Sequence, residues 1–130
     1  MAFRSSASAA LIATGLACAA TLAVAATAGY DGVYRGDATR TRGDDSICGK
    51  ASYQASFTVV NGQFNIVYDA TRHVGVNLVI QADGSFSGSQ MYKSTQQQSQ
   101  VKASGRISGN ILDAQVEGQA CARAYHLTKG

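Results

Sequence analysis

From Tyr30 onward the apolar residues fall at every second position, and no 3.6-residue period emerges. That pattern confines the chain to strands with one buried face, because successive side chains of a strand point to opposite sides. Tyr53, Ala55, Phe57 and Val59 share one face, while Ser52, Gln54, Ser56 and Thr58 share the other. Asn61-Gly62 follows, a pair that tolerates the positive φ of a two-residue hairpin turn. Phe64, Ile66 and Tyr68 resume the alternation, and Val74, Val76, Leu78 and Ile80 form the next apolar face. Asp83-Gly84, Gly109-Asn110 and Gly118-Gln119 mark further tight turns. Residues 30–39, 86–92, 101–107, 112–116 and 120–128 complete the set of predicted strands.

Eight short strands joined by tight turns read as an antiparallel meander. A meander of that length can close on itself and so remove its exposed edges. The expected fold is therefore all-β: a single small up-and-down barrel of about eight strands, with a two-sheet β-sandwich as second choice. Residues 82–88 and 103–109 share the pattern A-x-G-x-(F/I)-S-G at an offset of 21 residues. A hairpin duplication and a chance recurrence of Gly and Ser both fit, and Gly105 reads as either a strand bulge or a turn.

Residues 1–28 follow a different rule. Arg4 is the one charge before an Ala-rich apolar run, and the run ends in Ala23-Val24-Ala25 and Ala26-Thr27-Ala28, both small-x-small. This is the layout of a secretory signal peptide, with cleavage expected after Ala28 and Ala25 as the second choice. A retained transmembrane anchor fits poorly, because alanine is barely apolar and no basic cluster follows the run. Leu16-Ala17-Cys18 faintly resembles a lipidation motif, but Gly15 stands where that motif usually carries Leu. The expected organisation is a leader over 1–28 and a β-barrel domain over 29–130, destined for the periplasm or the exterior of a bacterium.

Cleavage also settles the cysteine count. Cys18 leaves with the leader, so Cys48 and Cys121 remain and should pair in an oxidising compartment. Arg4 leaves as well, and ten basic side chains then face eight acidic ones, a net charge of about +2. So mild a charge gives no reason to expect nucleic acid as a partner.

Two positions suggest a family. Gly32-Val33-Tyr34 lies in the first predicted strand and Arg123 in the last. This resembles the calycin pattern of lipocalins, avidins and the small secreted bacterial metalloprotease inhibitors. The resemblance implies that an aromatic of the first strand packs across the closed barrel end beneath a cation from the last. Tyr34 would stand in for the usual Trp, and Arg123 would cover it as the barrel-end packing pair. The resemblance also implies an architecture and a binding role, without naming a ligand.

Catalytic chemistry has little to build on. No G-x-S-x-G elbow, phosphate-binding loop, dinucleotide fingerprint or heme attachment motif occurs. Asp69 and His73 do not have a recognised zinc spacing, and most acids sit at turn positions where Asp is favoured for backbone reasons. Arg42-Gly43-Asp44 reads as charged turn chemistry, and residues 96–100 as a polar loop or exposed strand. No catalytic, cofactor-binding or metal-binding residue is assigned. The expectation is a non-catalytic binding or inhibitory module whose partner is a secreted or periplasmic protein. The alternative is an envelope-associated structural or self-associating protein. Three Phe and six Tyr in the mature region suffice to fill a small barrel, so the interior should be packed rather than hollow.

Overall fold

The computed structural model describes residues 29–69, 74–94 and 97–130. The leader, its cleavage site at Ala28, Cys18 and His73 lie outside the described residues. Eight strands are seen: β1 (Gly32–Arg42), β2 (Ser52–Val59), β3 (Gln63–Asp69), β4 (Val74–Val79), β5 (Ser85–Ser94), β6 (Gln97–Ser108), β7 (Ile111–Glu117) and β8 (Ala122–Lys129). One helical turn, α1 (Asp45–Cys48), interrupts the meander between β1 and β2. Asp44 caps it by accepting from the Ile47 amide at 3.1 Å and from Ser46 Oγ at 2.7 Å. Those two hydrogen bonds, Ser46 first, hold the Asp44 carboxyl below its ordinary pKa. The Arg42-Gly43-Asp44 tripeptide is thus spent on local turn chemistry.

The hairpin turns follow their glycines. Asn61 and Gly62 take φ values of 53° and 70°, the left-handed pair that a tight β-turn demands. Asp31 reaches across to accept from both of their amides, at 2.7 and 2.8 Å. That carboxylate fixes the β2–β3 turn against the entry to β1.

All pairings are antiparallel. Six strands form one sheet in the order β2-β1-β8-β7-β6-β5, and β3 with β4 forms a second. The first and last strands are neighbours, as a closed meander requires, but the expected barrel closure does not occur. Between β2 and β3 the described ladder is a single bridge, Val60 to Gln63, and β4 lies beside β5 without a ladder. The fold is all-β, with two antiparallel sheets around one core and two unladdered seams.

On β1 a Cβ at Gly36 would overlap the His126 carbonyl oxygen, and one at Gly105 of β6 would overlap the Asp113 carbonyl oxygen, so backbones approach closely there. Gly105 sits in unbroken register opposite both Phe86 and Ala114, so it is neither bulge nor turn. Phe64, Ile66, Val76, Leu78 and Ile80 fill the interior from β3, β4 and the residue after it.

The core is packed. Phe57 lies 5.0 Å from Tyr125 and 5.5 Å from Phe64, and Phe64 meets Phe86 edge-on at 5.0 Å. Such tilted and edge-on aromatic contacts add to the free energy of area burial. Ile66, Leu78, Leu112 and Leu127 are fully buried around them. The repeated segments 82–88 and 103–109 pair with each other across β5 and β6, and the Ile107 amide donates to the Gly84 carbonyl at 2.9 Å.

A tyrosine-lined cavity at one end of the fold

In an up-and-down meander the ends of odd strands and the starts of even strands meet at the same end. Here that end gathers Tyr53 at the start of β2, Tyr68 at the end of β3, Tyr92 near the end of β5 and Arg123 at the start of β8. They line a cavity of about 670 Å³ together with Tyr125, Lys50 and the Cys48–Cys121 pair. Its volume is in the range of small-molecule sites, roughly 300–1,000 Å³. Ile47 and Val67 form an apolar rim, 70% and 55% exposed.

Cys48 and Cys121 form a disulfide across 73 residues of sequence, with Cα atoms 5.6 Å apart. The bridge ties α1 to the β7–β8 turn, where the Gly118 amide donates to the Cys121 carbonyl at 2.8 Å. Ser99 adds a second tie, its hydroxyl donating to Gln119 at 2.6 Å. Arg42 joins the same turn by donating to the Gly118 carbonyl.

Arg123 is the central charge. It stands opposite Val116 and Arg40 in the ladder, in phase with buried Tyr125 and Leu127, so it belongs to the inward face. Its Nη2 donates to two carbonyls, Cys48 at 3.0 Å and Lys50 at 2.9 Å. Its guanidinium carbon lies 4.8 Å from the centre of the Tyr53 ring, a cation on an aromatic face. Its Nη1 is buried and has no hydrogen-bond partner among the described residues. A buried donor left unpaired costs about 1–3 kcal/mol, more when charged. Arg40, facing the same end, is paired with Asp45. Arg123 has only neutral carbonyls for partners among the described residues.

Of the tyrosines, Tyr125 is buried, Tyr68 and Tyr92 are half-buried and Tyr53 is exposed. The Tyr125 and Tyr53 hydroxyls lie 3.4 Å apart. Burial first, then Tyr53, pushes the Tyr125 pKa far up. Burial likewise raises Tyr68, helped by Tyr92, whose ring centre is 5.9 Å away. A neutral phenol donates hydrogen bonds and presents an apolar face.

The expected packing pair separates. Tyr34 stands opposite Lys129, and Arg123 lies six residues earlier on β8, which at strand rise is roughly 20 Å away. Tyr34 is buried at the other end, donating to the Tyr30 carbonyl at 2.7 Å, and burial with the nearby Asp31 charge raises its pKa. The aromatic beneath Arg123 is Tyr53 of β2, which the ladders place opposite Ala38 of β1, itself opposite Tyr125 of β8. Asp69 also lines the cavity and already has an interaction partner. Among the described residues no group of three His, Cys, Asp or Glu side chains is placed to hold a metal ion.

The sequence reading singled out Arg123 and the cysteines but missed Tyr53, Tyr68, Tyr92, Tyr125 and Lys50. The usable signal was positional: in a meander the strand-end rule above sends these tyrosines to one place. No helix among the described residues is long and apolar enough to cross a membrane. Comparison with protein-family models, with curated proteins and with solved structures returns no match.

Proposed function

We propose that the chain is an exported, non-catalytic binding module that holds a small molecule in the tyrosine-lined end cavity. The observation that carries this reading is Arg123 in the wall of the cavity: it is held there by two carbonyls and a tyrosine face, with no acidic partner among the described residues. The leader over 1–28 and the disulfide support export to the periplasm or beyond. The packed interior favours the end of the fold over its centre as the place for a ligand.

The test begins with expression of the full chain in a bacterial host. A mature N-terminus at Gly29 is expected from the exported fraction. A chemically mixed fragment panel is then followed by two-dimensional NMR. Binders should shift the Arg123 side-chain resonance together with those of Tyr53 and Tyr125. A panel in which no compound moves those resonances overturns the binding reading.

A further inference from the structure

We infer that the end cavity takes an organic carboxylate with a flat apolar body, seated on Arg123. This rests on the binding reading above and adds the chemical class of the ligand.

The charge comes first. Arg40 is balanced by Asp45, and Arg42 is occupied by the Gly118 carbonyl. Asp69 is already engaged. The cation left without an acidic counterpart on the wall is Arg123, joined at the rim by Lys50. The Arg123 guanidinium on the cavity wall matches a carboxylate in charge and in the planar geometry of its donors. A phosphate dianion would need more: several cations or a run of free backbone amides, as at phosphate-binding loops. The wall offers one guanidinium, and no acid pairs with it among the described residues.

The body of the ligand follows from the walls. Tyr53 lies flat beneath Arg123, and the Tyr68 and Tyr92 rings stand 5.9 Å apart at 48°. Ile47 and Val67 extend the apolar surface to the rim. No Asn, Gln, Ser or Thr is among the described lining residues, so the wall has no side-chain amide and its only side-chain hydroxyls are those of the tyrosines. Aromatic faces with one charge-matched anchor fit a one- or two-ring acid.

Calorimetric titration at neutral pH with four probes tests this: 2-naphthoate, its neutral isostere 2-naphthamide, cyclohexanecarboxylate and inorganic phosphate. The acid should bind more tightly than the amide by roughly tenfold or more, the value of a charge-assisted hydrogen bond. It should also bind more tightly than the non-planar acid and than phosphate. Arg123→Met should erase the preference for acid over amide. Arg123→Lys, which keeps the charge, should restore part of it, so a misfolded Met variant would not decide the outcome. Equal binding of acid and amide overturns the carboxylate assignment and leaves the cavity a binding site. Equal binding of the two acids overturns the flat body. If neither naphthyl probe binds while other fragments shift Arg123, the ligand class is wrong and the binding reading stands. If nothing shifts it, both readings fall.

Discussion

Removing the disulfide is the sharpest test of how this small domain is held together. The bridge joins residues 73 apart, and both ends sit on irregular segments, α1 on one side and the β7–β8 turn on the other. Closing a loop of that length removes roughly 15 cal/mol/K of unfolded-chain entropy, or about 4.4 kcal/mol at 25 °C. A domain of this size has a total stability of only about 5–15 kcal/mol. The double variant Cys48→Ser/Cys121→Ser should therefore lose between a third and most of its stability. At about 4–5 °C per kcal/mol for a domain near 100 residues, Tm should fall by roughly 20 °C. Urea unfolding followed by circular dichroism measures the loss directly. The slope m should rise in the variant, because the unfolded chain without its cross-link exposes more surface. Wild-type protein unfolded in reductant should behave like the variant. The intact mass should first show two hydrogens fewer than the reduced sequence. A loss below about 1 kcal/mol would refute the reasoning, since the unfolded chain would then be no freer without the bridge.

Three other outcomes follow from the same geometry. Gly36→Ala places a Cβ onto the His126 carbonyl oxygen and should cost about 2–4 kcal/mol in urea unfolding, with β1 and β8 losing amide-exchange protection first. Asp31→Ala removes the acceptor for the Asn61 and Gly62 amides and should cost about 1–2 kcal/mol, with Asp31→Asn recovering part of it in the same assay. Alkaline pH should destabilise the fold, because burial raises the pKa of Tyr125, Tyr68 and Tyr34 above that of a free phenol. The unfolded chain gives up those protons first, so this contribution is full below about pH 10 and is lost as pH rises through the folded-state values. Unfolding free energies measured at pH 9 and pH 11 should differ clearly in the wild type and less in Tyr125→Phe.

The strands were legible because alternation and turn chemistry agree. Phe57, Val59, Phe64 and Ile66 alternate on either side of Asn61-Gly62, and each is buried as the period requires. The pairing of Cys48 with Cys121 followed from counting cysteines after a leader. Closure was not legible. Alternation fixes which face of a strand is buried and carries no information on whether the outer strands of two sheets join in a ladder. The pairing of Tyr34 with Arg123 failed for a reason of register: a strand motif fixes which face a residue uses and leaves open how far along the neighbour it sits. The cavity stayed hidden because its parts come from β2, β3, β5 and β8, and α1, which carries Cys48 to the rim, has no periodic signature in four residues.

The adjacency of β1 and β8 has a consequence for synthesis and truncation. Residues 34–42 find one set of ladder partners in residues 122–129, far along the chain. Until those residues have been made, β1 has one bare side, and Cys48 lacks the partner it has in the fold. The β1 ladder and the disulfide thus complete only late in synthesis. A nascent chain stalled before residue 122 would stay open to proteases, and a truncation that removes β8 would strip ladder partners from both β1 and β7.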